Sequence, residues 1–185
     1  MHPQPAPVVG FHPTGLTAAD HAIGDEDAPF TLLEYGDYEC PASAEAETKV
    51  RHLVKTFGPQ LRFVFRHLPH LELQPHSELA AEAAEAAAAQ GKFWEMHRLL
   101  FGAPNHLSLA NLTKHAQSID LDMTRFQVEM ADRTHTQWVQ EHRRAAKLSN
   151  LYTTPAFILN DKLIDTSSGL EKLEAAVHAL ERPHV

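Results

Sequence analysis

Read for the spacing of apolar positions, the chain opens on strand-like runs, turns helical in the middle and returns to a short strand-and-helix finish. Phe30 to Tyr35 is an apolar, β-prone run, and the turn-rich stretch Asp20 to Pro29 leads into it. From Pro41 to Phe57 the apolar positions Val50, Leu53, Val54 and Phe57 recur at helical spacing, which predicts a core-facing stripe. Gly58-Pro59 supplies the stop. Leu61 to His67 reads as a second strand, and a strand–helix–strand unit of this kind takes a right-handed crossover. Helices are then expected over Glu78–Gln90, with Ser77 as N-cap and Gly91 closing it, and over the aromatic-rich Phe93–Phe101. Leu107–Ile119, Asp122–Met130 and Thr136–Leu148 follow, with Ser108 and Asp122 as caps. After Asn150, Ala156–Leu159 and Lys162–Ile164 flank Asn160-Asp161 as a tight hairpin, and Glu171–Glu181 closes the chain with Leu173, Val177 and Leu180 on one face.

Composition narrows the class. At 185 residues, 43% hydrophobic and 22% charged, the chain fits one domain with a real core. A net charge of −8 argues against a nucleic-acid partner, because phosphate contacts need clustered Lys and Arg. No apolar run reaches the length of a membrane span, so no membrane insertion is expected. Residues 1–19 hold Pro3, Pro5, Pro7 and Pro13 without a clear period and read as an arm, leaving 20–185 as the domain. The first residues show neither a basic segment nor an apolar core of a secretory signal, and a single cysteine suits a reducing compartment, so a cytoplasmic protein is expected.

That cysteine, Cys40, is where the chemistry concentrates. Pro41 follows it and opens the first long helix, a position where the missing N–H costs nothing. Cys40 is therefore placed at a helix N-cap, facing unpaired backbone N–H groups and the positive end of the macrodipole. That setting favours the thiolate, the reactive form of cysteine.

The segment Cys40-Pro41-Ala42-Ser43 resembles the active-site motif of the thioredoxin superfamily, and within it the DsbA-like branch of thiol–disulfide oxidoreductases, with serine in place of the second cysteine. Glu34 matches the acid that this branch often buries beneath the thiol, and Thr153-Thr154-Pro155-Ala156-Phe157 looks like its cis-proline loop. Phe65-Arg66-His67-Leu68-Pro69 and Ala88 to His97 are similar to thioredoxin-like domains fused to sodium/proton antiporters. The resemblance implies an α/β thioredoxin fold, a central mixed sheet flanked by helices, with a helical insertion at about 77–149. It implies Cys40 as nucleophile, Ser43 as hydrogen-bond donor to its thiolate and Glu34 as proton relay. Pro41, Thr154 and a cis Pro155 would receive an extended substrate strand by β-augmentation.

With one cysteine, a mixed disulfide cannot be resolved from within the chain. The expected activity is thus monothiol exchange with protein thiols or disulfides, with no cofactor and with glutathione able to enter as co-substrate. Two rivals stand beside it. One is a redox-silent binding module using the same groove, and the other a relative of glutathione-dependent isomerases and transferases. The histidines form no metal-binding signature: neither His67, His70 and His76 nor Glu95 and His97 has the spacing of a ligand set, so hydrogen-bonded or solvated roles are expected.

Overall fold

The computed structural model describes residues 15–167 and 169–179. Strands β1 (His21–Ile23), β2 (Phe30–Gly36), β3 (Leu61–His67), β4 (Ala156–Leu159) and β5 (Lys162–Ile164) form one sheet in the order β1-β3-β2-β4-β5. Strand β2 is central: it runs parallel to β3 from Phe30 opposite Leu61 to Gly36 opposite His67, and antiparallel to β4. Helix α1 (Pro41–Phe57) makes the crossover between the parallel pair. Helices α2 (Ser77–Ala88), α3 (Phe93–Gly102), α4 (Leu109–Ser118), α5 (Met123–Ala131) and α6 (Thr136–Leu148) form the inserted block, and α7 (Glu171–Ala179) packs back after the hairpin.

Alternation along each strand sorts side chains onto the two faces of the sheet. Leu32, Phe63, Phe65, Phe157 and Leu159 join Val50, Leu53 and Phe57 of α1 in the larger core. Leu33, Tyr35, Val64 and Ile158 face the other way, against Ala146 of α6 and Leu151. Val54, expected in the α1 stripe, lies at the edge of the larger core. Gly58 ends α1 at φ +51, and Asn160 and Asp161, both at positive φ, make the hairpin turn between β4 and β5.

The structure corrects several boundaries. Strand β1 forms within the stretch expected to be only turns, pairing His21–Ile23 antiparallel with Phe63–Phe65 of β3. Ser77 is the first residue of α2 rather than its cap, which is His76, and its hydroxyl is spent on Asp37 instead. Helix α2 ends at Ala88 rather than Gln90, since Gln90 and Gly91 bond back to Ala87 and Ala88 as turns. Ser108 does sit at the N-cap of α4, without a side-chain bond, whereas the Asp122 carboxylate accepts the Arg125 N–H at 3.0 Å. Residues 1–14 of the expected arm, like Leu180 and Glu181, lie outside the described residues. Gly15, Leu16 and Thr17 are tied down: Gly15 accepts from Arg66, Leu16 packs on the smaller core, and the Thr17 N–H donates to Asp20.

Candidate active site

The site lies beyond the C-terminal end of the central strand, where open α/β sheets place their ligands. After Gly36 the turn Asp37-Tyr38-Glu39 closes with the Cys40 N–H donating to the Asp37 carbonyl at 3.1 Å. Cys40 is extended at φ −84° and ψ 119°, caps α1 and is followed by Pro41 in the first turn. Its thiol donates to the carbonyl oxygen of Thr154 at 3.4 Å. The Thr154–Pro155 peptide bond is cis. Residues far apart in sequence thus meet at one sulfur, which belongs to a residue only 8% exposed.

Glu34 sits on β2 between Phe65 of β3 and Phe157 of β4, on the face of the larger core. Burial pushes its carboxyl well above the usual carboxylate range, and the nearby Glu47 and Cys40 push in the same direction. Among the described residues, its Oε1 has no hydrogen-bond partner. Gly36 leaves that carboxyl its room: a Cβ there would meet the Phe65 ring at 2.5 Å and Glu34 Oε1 at 3.0 Å.

Ser43 is fully buried in the first turn of α1, but its contact differs from the expected one. Its Oγ accepts the Asp37 N–H at 3.3 Å, and among the described residues no hydrogen bond joins it to Cys40. Pro41 is exposed at the head of the helix. A groove of about 530 Å³ opens beside the cis-proline, lined by Ala42, Tyr152, Thr154, Pro155, Leu163 and Leu170 among others.

Asp37 escaped the sequence reading and is the hub of the turn. One carboxylate oxygen accepts from the Glu39 N–H at 2.8 Å and from the Ser77 hydroxyl, and the other from the His70 N–H at 2.9 Å. Burial raises its pKa, and these three donors oppose that rise only in part. The only sequence signal was an acid three residues before a helix cap, placed to accept from the N–H two residues on as in an Asx turn. Beneath the turn, the Tyr38 hydroxyl meets His97 Nδ1 at 3.0 Å, and His97 Nε2 meets Glu47 at 3.3 Å. Every donor is satisfied when Tyr38 donates to a neutral His97 that in turn donates to Glu47. Burial, more than Glu47 can offset, holds the His97 pKa below its usual value.

The histidines fall into separate partnerships. His67 and His21 each place Nε2 against the same Glu85 oxygen, at 2.7 and 2.8 Å. Burial would raise the Glu85 pKa, but the hydrogen bonds from the two histidines outweigh it and hold the carboxyl far below its usual range. His70 contributes its backbone N–H to Asp37, and His76 pairs with Glu39 at 3.0 Å. Thus His67, His70 and His76, neighbours in sequence, point to different partners.

A lone cysteine at the head of the crossover helix, in contact with a cis-proline loop at the end of a mixed sheet with a helical insertion, defines a DsbA-like thioredoxin-fold protein. Among the described residues no helix is long and apolar enough to cross a membrane. The chain belongs to the thioredoxin family, whose pattern it matches over residues 16–179. It is 44% identical over 158 residues to "Na(+)/H(+) antiporter NhaA 1" of Salinispora arenicola, covering 85% of this chain and 24% of that protein. The corresponding antiporter of Mycobacterium sp. (strain KMS) is 38% identical over 178 residues, covering 88% of this chain and 29% of the relative. The chain therefore spans about a quarter of the length of these curated relatives. Among solved structures, a thioredoxin-like oxidoreductase from Silicibacter pomeroyi superposes with a TM-score of 0.71 at 27% identity, covering 85% of this chain and 91% of that one. Oxidised BdbD from Bacillus subtilis reaches 0.75 at 22% identity, covering 85% and 90%, and shares the fold.

Proposed function

We propose that the chain is a thiol–disulfide exchanger that works through the single thiol of Cys40. The observation that carries this reading is the Cys40 sulfur at the N-terminus of α1, 3.4 Å from the Thr154 carbonyl beside the cis-proline. The Cys40 thiolate attacks one sulfur of a substrate disulfide, a Cys40–substrate disulfide forms, and the other substrate sulfur leaves as a thiolate. A second thiolate, from glutathione, a protein or the substrate's own second cysteine, then attacks the substrate sulfur and releases Cys40. If that thiol is glutathione, a further glutathione thiolate must cleave the substrate–glutathione disulfide, so two glutathiones are oxidised as the substrate is reduced. If it is the substrate's own cysteine, the step is an isomerisation with no net redox change. The released Cys40 thiolate takes up a proton, which a neutral Glu34 carboxyl can supply and regain from water. Pro41 and the Thr154–Pro155 backbone would hold the substrate strand. A reducing cytoplasm, rich in glutathione, suits such an exchanger.

A redox-silent binding module has one observation in its favour: the Ser43 hydroxyl is engaged by Asp37 and not by the sulfur. Incubation with oxidised glutathione decides between them. The exchanger forms an adduct of one glutathione mass on Cys40, reversed by added thiol and absent in Cys40→Ser. An unmodified mass after hours of incubation would count against the exchanger and for the binding module.

A further inference from the structure

A second groove, of about 810 Å³, lies between α6 and the connection from β3 to α2. Its wall on the α6 side carries Arg143, Arg144 and Lys147, and its other wall carries Leu71, Glu72 and Leu73. Tyr152 and Leu151 line both this groove and the one beside the cis-proline, so the two meet over the segment that precedes Thr154. The connection is also anchored to the active-site turn, through the His70 N–H on Asp37.

The charge of this groove runs against that of the chain. Asp and Glu outnumber Lys and Arg by 24 to 16 in the chain, whereas this groove sets Arg143, Arg144 and Lys147 against Glu72 alone. Among the described residues no carboxylate pairs with Arg143, Arg144 or Lys147; Arg143 bonds only to the neutral Gln140, at 2.9 Å. The apolar side chains opposite are unusually bare, with Leu73 78%, Tyr152 57% and Leu71 41% exposed. Three cations outside ion-pair distance of any described carboxylate, facing a single glutamate and uncovered leucines, describe a site completed by something anionic and apolar.

We propose that this groove docks a segment of the polypeptide substrate in which carboxylates alternate with apolar side chains, so that acidic–apolar sequence beside the reacting disulfide selects the partner. The inference rests on the reading of Cys40 as a thiol exchanger with a protein substrate. Carboxylates of the segment would face Arg144 and Lys147, its apolar side chains would cover Leu71, Leu73 and Tyr152, and the strand would continue to Thr154.

The test uses cysteine-free fluorescein-labelled peptides, so that docking is read without exchange. One alternates leucine with glutamate, and its counterpart alternates leucine with lysine. Fluorescence anisotropy with the full chain is expected to show binding of the acidic peptide, weakening as salt is raised, and little binding of the basic one. The R144E/K147E variant should bind the acidic peptide roughly tenfold more weakly, as expected for two reversed rim charges. L73S should weaken it with the charges intact. Both variants should form the glutathione adduct at the parental rate, because glutathione is too small to need the groove. Equal affinity for the two peptides, an R144E/K147E variant that binds like the parent, or binding to phosphatidylserine vesicles in place of the peptide would overturn the proposal. An adduct without peptide preference removes the docking site alone, whereas peptide preference without an adduct removes the exchange chemistry alone.

Discussion

Glu34 is held where a carboxylate is least at home, wedged in the sheet between Phe65 and Phe157 with one oxygen unpartnered among the described residues. In an unfolded chain a glutamate releases its proton near pH 4.3. Folding raises that value, first through burial and then through Glu47 and Cys40. Between the two values the folded state keeps a proton that the unfolded state has lost. Stability must therefore be highest below about pH 4.3 as far as this group is concerned, and fall as pH rises toward the folded value. Glu34→Gln keeps the shape and removes the titration. Urea midpoints measured across pH should fall more steeply with rising pH in the parent than in the variant, and the variant should be the more stable at alkaline pH. Parallel curves would mean that the carboxylate is comfortable when charged. The proton-relay role proposed for Glu34 toward the departing Cys40 thiolate also carries a kinetic prediction. Release of the glutathione mixed disulfide should slow in Glu34→Gln, by up to about a hundredfold, at the lower end of what a positioned acid–base group contributes.

Among the elements, the turn from β2 to α1 is held to the start of α2 by two carboxylates, Glu39, which accepts from His76, and Asp37, which gathers donors from Glu39, His70 and Ser77. Asparagine in its place offers an amide N–H to one of those donors. Asp37→Asn should cost about 1–3 kcal/mol, the range for losing hydrogen bonds to a charged, buried acceptor. Denaturant midpoints read the loss, and proteolysis should quicken first between β3 and α2, where the His70 tie is broken. This tie also marks the limit of what was legible beforehand. Helix α1 announces itself between Pro41 and Gly58, and the β4–β5 hairpin through Asn160-Asp161, because local chemistry alone decides those boundaries. Cys40, Pro155 and Glu34 were legible through a motif. Ser77 carries every local mark of a cap, yet a distant carboxylate claims its hydroxyl. Strand β1 has no alternation of its own and exists only as a partner of β3. His97 and Glu47 meet Tyr38 and each other only after α3 packs on α1, so nothing along the chain signals them.

At the scale of the molecule, the sheet's centre positions the site and its margin holds the first described residues. Arg66 on β3 is fully buried, and its guanidinium donates to both Asp20 carboxylate oxygens, at 2.6 and 2.8 Å, to the Gly15 carbonyl at 2.8 Å and to the Tyr35 hydroxyl at 3.0 Å. Tyr35 adjoins Glu34 on the central strand, so this cluster links the segment before β1 to the strand that carries the site. A buried ion pair adds little over a well-packed apolar pair, but removing one partner strands the other charge. Asp20→Ala should therefore cost about 3–5 kcal/mol in urea unfolding. Asp20→Asn, which keeps one acceptor, should cost less. The discriminating experiment is the double variant Asp20→Ala, Arg66→Met, in which no charge is left to strand. It should recover most of the loss, giving a coupling that two independent sites would not show. If Asp20→Ala alone changes stability by less than about 0.5 kcal/mol, as an ordinary surface substitution does, water reaches the guanidinium and the ion pair is not what secures this edge of the sheet.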